Sequence, residues 1–448
     1  MQQYTMPSKS NLILHRTTPV MILKFFLLIS VNAAILTYAN SIFSLKLSVE
    51  LYSKYAFLVS NAGVAAIFLT MGFDMSASKY FSSYIHNNNY SLAKGFTHTA
   101  LMQILKSSVI FMLLSASYWA MEPFMAKVFL VLFHIHIPKA NIAIGLVVAV
   151  FIAALNILII ILRCLSTLLW GYFLSTVLPT LLILVAAVTL PAVITTEAGF
   201  NQVITFYGVA YLATVVICVI VLVLVIRSKP HHRVQMEINS DWFRVSKVMM
   251  SYSFITMLSN VVPINILQLY LDISINTAQM ATFAYSYSVL YMLFSIPTLM
   301  IKTISSPKFA PLHSSGQYKG LQQLIIRANR SSLIFNCSLV CSGIVFHKAI
   351  SSVMSNQFQN ILPISLFIAL SFVLDFSINA TRSALLLLGN EKSVIKNRAM
   401  VVIIQLFLSL ISGYYWGIYG VCIVLILIRN ISSILMIREL KMAGYRSF

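Results

Sequence analysis

The stretch 371-SFVLDFSINATRSALLLLGN-390 is as apolar at its two ends as a membrane span, yet it holds Asp375 and Arg382 between them. On an α-helix, residues seven apart lie about 20° apart around the axis, so Asp375, Asn379 and Arg382 share one face. A mid-span charge costs about 2.5 to 3.5 kcal/mol on insertion scales, so such a stripe has to face a protein interior or a watery cavity, not lipid. This reading makes the segment one helix of a larger membrane bundle.

The rest of the chain agrees. Of 448 residues, 59% are hydrophobic and only 9% charged, and the mean hydropathy is +0.90, well beyond what a water-soluble core requires. Windows of about 20 apolar residues are long enough to cross a bilayer core as helices. Twelve are expected, near 20–42, 55–75, 97–120, 142–163, 170–191, 205–226, 248–270, 280–302, 324–347, 361–388, 397–415 and 417–437. The segment 121–138 reads as a short re-entrant or interfacial helix. The N-terminal run after Lys9, Arg16 and Lys24 lacks a cleavage-type small-residue motif and reads as an uncleaved first span.

If both termini are cytoplasmic, only Lys46, Lys54, Lys127, Lys139 and Lys348 of the 30 Lys and Arg fall on the outer side. That positive-inside bias sets the expected orientation. It also accounts for most of the +20 net charge, leaving no reason to invoke nucleic acid. His231 and His232, in 227-RSKPHHRVQ-235, lack companions at metal-ligand spacing. The five cysteines lie in apolar segments with neither a disulfide framework nor a CxxC pair.

A constant offset of 228 relates the two halves without a gap: Asn32 falls on Asn260, Ser60 on Ser288, Phe81 on Phe309 and Tyr90 on Tyr318. The expected organisation is a bundle of six helices over 1–228, a cytoplasmic linker over 229–245 and a second such bundle over 246–448, around a central cavity. Six spans per half keep the two bundles in the same orientation, related by an axis along the membrane normal. The same offset pairs Asp74 with Lys302 at the inner ends of their spans, a candidate gate. In span 7, Ser253, Asn260 and Gln268 form a polar arc, and Pro179, Pro263 and Pro297 interrupt spans 5, 7 and 8.

Three stretches carry a family resemblance. The segment 282-TFAYSYSVLYMLFSIPTLMIKTISSPKFAPLHSSGQYKGL-321 resembles span 8 and the following loop of the multidrug/oligosaccharidyl-lipid/polysaccharide exporter superfamily. So does 385-LLLLGNEKSVIKNRAMVVIIQLFLSLISGYYWGIYGVCIVLILIRNI-431 for spans 10 to 12, and 70-TMGFDMSASKYFS-82 for the end of span 2. Within that superfamily the chain is most similar to the polysaccharide branch, the Wzx-type O-antigen flippases. The resemblance implies translocation of an undecaprenyl-pyrophosphate-linked oligosaccharide across a bacterial inner membrane. It also implies partners in a polysaccharide polymerase and a chain-length regulator.

On that reading Arg382 holds the pyrophosphate, because a guanidinium matches phosphate oxygens in a two-pronged fashion and stays charged. Lys24 assists it, and Asn32, Asn260 and Gln268 line the route. Asp375 pairs with Arg382 when cargo is absent or serves as a coupling site, and Asp74 with Lys302 gates. Lys106, Arg163, Arg330 and Arg429 read as interfacial. Tyr285, Tyr287 and Tyr291 are candidates for stacking on sugar rings.

The sequence holds no P-loop, so ATP-driven transport is not expected, and no Asp-x-Asp or paired carboxylates, so neither an enzyme nor a cofactor is expected. A multidrug or organic-cation antiporter of the same superfamily is the alternative, and a membrane-embedded polysaccharide polymerase a weaker one. A purely structural scaffold would have no use for the mid-span charges.

Overall fold

The computed structural model describes residues 19–86, 89–133, 142–165, 168–191, 193–227, 235–270, 275–305, 309, 312–313, 316–345, 361–387, 391–445 and 447. These residues are almost entirely helical, with no strand among them. The protein is a polytopic all-α membrane protein made of two helical bundles.

The first bundle holds α1 (Pro19–Lys46), α2 (Val49–Thr70), α3 (Phe73–His86), α4 (Tyr90–Phe133), α5 (Ile142–Leu165), α6 (Leu168–Tyr172), α7 (Leu178–Thr189) and α8 (Glu197–Arg227). The second holds α9 (Asp241–Leu269), α10 (Thr277–Met300), α11 (Tyr318–Val345), α12 (Ile361–Ser377), α13 (Asn379–Leu387) and α14 (Glu391–Met442). Among the described residues, eight helices are individually long and apolar enough to cross a membrane, and α12 with α13, bent by 42°, makes a ninth. The other expected passes are also helical. Window 170–191 is assembled from α6, a π-helical turn at Phe173–Val177 and α7, and window 324–347 falls in the more polar α11. Windows 397–415 and 417–437 share α14, which doubles back on itself. Gly417 sits at φ 57°, ψ −139° inside it, and Ser393 near its start donates to Glu439 Oε1 near its end at 2.6 Å.

The expected separate element at 121–138 does not form as such: α4 runs without a break to Phe133. The offset of 228 is visible in where helices begin. Val49 opens α2 and Thr277 opens α10, while Tyr90 opens α4 and Tyr318 opens α11. Local chemistry explains the first pair. Ser48 accepts from Leu51 N at 3.4 Å, and Asn276 forms a capping box with Gln279, each satisfying orphan donors of a first turn.

Proline sites coincide with irregular turns, since proline supplies no N–H and crowds the preceding carbonyl. Pro179 follows the π-helical turn at Phe173–Val177, and Pro297 precedes a second one at Ile301–Ser305. Pro263 lies buried inside α9.

Two seams join the bundles. Along one, α2 and α3 pack on α9: Asn61 and Asn265 exchange amide hydrogen bonds, Phe68 packs against Phe254 with tilted rings and centroids 4.7 Å apart, and the Ser76 and Ser246 hydroxyls meet at 2.6 Å. The chain between α2 and α3 turns through Met71 at φ 46° and Gly72 at φ 76°. A Cβ at Gly72 would lie 2.1 Å from Ser246 O, so the close approach needs glycine. Along the other seam α1 meets α10, with Ser41 Oγ 2.8 Å from Tyr285 OH.

Within the stretch read as linker, Asp241 already opens α9, and Trp242 is fully buried in the core of the first bundle. Its indole donates to Tyr84 OH at 2.9 Å and stands edge-on to Phe96 at 5.3 Å. Just before it, Glu237 N donates to Ser91 O of α4. His231 and His232 lie outside the described residues.

Candidate functional site

The stripe on 371–390 folds as a broken helix. Ile378 interrupts it between α12 and α13, and Asn379 ties the break by donating to Phe376 O at 2.8 Å and to Thr298 Oγ1 of α10 at 2.5 Å. Across the break the Arg382 guanidinium still reaches the Asp375 carboxylate as a direct ion pair, and its Nη1 donates to Asn379 Oδ1 at 3.3 Å. The three residues sharing one helical face therefore do meet.

Two further arginines converge on the same carboxylate. Arg429, from the second limb of α14, reaches Asp375 Oδ2 at 3.0 Å, and Arg398, from the first limb, lies 3.5 Å from Oδ1. Arg429 also donates to Asn260 Oδ1 of α9 at 2.9 Å and to Tyr287 OH of α10 at 2.7 Å. Its guanidinium carbon stands 4.8 Å from the Phe372 ring centroid, a cation–π placement. Phe283, Tyr287 and Tyr291 stack in succession beside it along α10. The α12–α13 break, α9, α10 and both limbs of α14 thus build one polar centre inside the second bundle.

Burial makes this centre consequential. The four charged side chains are 2% to 8% exposed, and three cations against one anion leave a surplus of two positive charges. Uncompensated buried charge costs about 3 to 5 kcal/mol when a partner is removed. Each of the three guanidinium Nε–H groups is buried without a hydrogen-bond acceptor. Arg398 is the least satisfied of the three, with its carboxylate contact at the limit of hydrogen-bonding distance.

The other sequence candidates are dispersed. Asn260 belongs to the centre through Arg429. Asn32 and Gln268 are buried elsewhere, each with a side-chain oxygen lacking a partner, and no described hydrogen bond joins either to the arginines. Lys24 is exposed on α1 beside buried Phe25. Asp74 accepts from Thr70 Oγ1 at 3.0 Å, while the Lys302 side chain lies outside the described residues, so the structure does not bring the gate pair to view. Tyr287 and Tyr291 face the charged centre, whereas Tyr285, on the opposite face of α10, contacts α1 and Tyr52.

Two arginines escape the sequence reading. Arg429, expected at the interface, is buried at 2% exposure because it enters α14 from the far limb and ends in the bundle centre. Arg398, at the very start of window 397–415, has the look of a topogenic residue at the inner end of a span. Lys106 and Arg330, also read as interfacial, are exposed, and the Arg163 side chain lies outside the described residues.

No family model matches the chain, and no curated protein matches it in sequence. Solved structures do match. An inward-facing multidrug resistance MATE family transporter of the MOP superfamily superposes with a TM-score of 0.67 at 16% identity, over 92% of this chain and 94% of that one. The chain has the fold of MOP superfamily transporters. An outward-facing MATE family multidrug transporter gives a TM-score of 0.64 at 13% identity, covering 94% of each chain. A MOP superfamily transporter from Pyrococcus furiosus, described as having a binding pocket of reversed polarity that suggests a different function, gives 0.65 at 13% identity over 94% of this chain and 95% of that one. At such identities the likeness is one of fold, and the MOP fold here carries its own charged centre.

Proposed function

We propose that this protein is an alternating-access membrane transporter, without enzymatic activity, whose two bundles rock about the seams between them. The likeness in fold to transporters in both inward-facing and outward-facing forms supports this.

For the cargo, two lines of support diverge. Two of the three neighbours are multidrug transporters, and they back the antiporter alternative better than the flippase reading. The chain's own residues favour the opposite sign of cargo. Three buried arginines against one aspartate make the interior of the second bundle hostile to an organic cation and receptive to an anion. That surplus is the observation that carries our reading: an exporter of anionic amphiphiles.

The undecaprenyl-pyrophosphate-linked oligosaccharide suggested by the sequence resemblance is the specific case we propose. Arg382 and Lys24 would hold the pyrophosphate, Asn32, Asn260 and Gln268 would line the route, and Asp375 would release Arg382 when cargo arrives. Asp74 and Lys302 would gate the inner side. This assigns the protein to the bacterial inner membrane with both termini cytoplasmic, alongside a polymerase and a chain-length regulator.

The test compares the lipid-linked glycan pool, by mass spectrometry, and surface polysaccharide in cells with and without the gene. A complete, unpolymerised repeat unit accumulating on the carrier lipid, with surface polymer lost, is expected. An unchanged pool with altered sensitivity to cationic drugs would establish the antiporter instead.

A further inference from the structure

The positive surplus in the second bundle has a second consequence, independent of the cargo. Asp375 has two oxygens, and three guanidinium groups already address them. Donors are left over: the Nε–H groups of Arg382, Arg398 and Arg429 are each buried without an acceptor. Tyr287 and Asn260 use their oxygens as acceptors for Arg429, so neither of those oxygens offsets the surplus. Arg398 is 3% exposed and touches its one carboxylate partner only at 3.5 Å.

A donor set of this sign suits an anion and excludes a cation. The occupant also has to be small, because the four charged side chains are closed off in this state. We infer that Arg398 and Arg382, backed by Arg429, form a binding site for a small monovalent inorganic anion of the chloride class inside the second bundle. Chloride accepts several N–H groups at once and brings the charge of the centre closer to neutral without the bulk of a polyatomic anion.

The experiment uses the full chain purified in detergent, with no cargo present, so that it stands or falls separately from the export reading. Radiolabelled chloride binding is measured by equilibrium dialysis in gluconate at constant ionic strength. Saturable binding, competed by bromide and not by gluconate, is expected, accompanied by a chloride-dependent rise in Tm. Arg398→Gln should weaken binding about tenfold or more, the worth of a hydrogen bond to a charged group. Arg398→Lys, which keeps the charge, guards against a folding defect and should retain binding in part. The inference is overturned if the unaltered protein shows no saturable chloride binding, if both variants bind as it does, or if phosphate competes better than bromide.

Discussion

Asn61 of the first bundle and Asn265 of the second donate to each other's side-chain carbonyls, at 3.0 Å and 3.3 Å, forming a closed amide pair across the seam. Either residue replaced by Leu leaves the other amide half-buried without its partner, at about 1 to 3 kcal/mol. Asn61→Leu and Asn265→Leu should each lower the thermal midpoint in detergent. The double variant should lose less than the two singles together, with a coupling of about 0.6 kcal/mol or more as measured for polar pairs between membrane helices. Strict additivity would mean that the pair does not act as a unit.

Neutralising Asp375 should be more damaging than removing any one arginine. Asp375→Asn leaves three buried guanidinium groups with no counter-charge, an expected loss of about 3 to 5 kcal/mol. Adding Arg398→Gln to Asp375→Asn should recover part of it, because the least satisfied cation goes at the same time. Folded yield by fluorescence-detected gel filtration, followed by heating, reports both.

The turn between α2 and α3 gives a test of backbone fit. Gly72→Ala adds a Cβ that meets Ser246 O at 2.1 Å and the Met250 nitrogen at 2.6 Å, at φ 76°. Gly316→Ala has the comparable φ of 72° but nothing within 4 Å. The second should cost only the conformational penalty, about 1 to 2 kcal/mol. The first should exceed that by enough to prevent normal assembly, read as the ratio of monodisperse to aggregated protein.

The gate proposal calls for charge exchange. Asp74→Lys and Lys302→Asp should each reduce surface polysaccharide at equal expression, and the two together should restore it above either single change. A double variant no better than the singles would remove the pair from the mechanism.

How much of this was legible beforehand varies with the range of the interaction. Apolar windows, the offset of 228 and the shared face of Asp375, Asn379 and Arg382 are local or periodic, and the structure reproduces them in helix starts and in the ion pair. Arg398 and Arg429 reach Asp375 across 23 and 54 positions, and nothing in the neighbourhood of Arg398 distinguishes a buried guanidinium from one that orients a span. The hairpin within α14 decides their fate, since its reversal at Gly417 returns the chain to the same bundle. An arginine as deep as Arg429 in the apolar run 417–437 was the available signal, and insertion cost alone argued against an interfacial place for it.

Trp242 belongs to the second half of the chain but fills the core of the first. Synthesis runs from the N-terminus, so Phe96 and Tyr84, on which the indole packs, emerge before the residue that covers them. The first bundle's core is therefore complete only when the opening turn of α9 is present to supply this side chain.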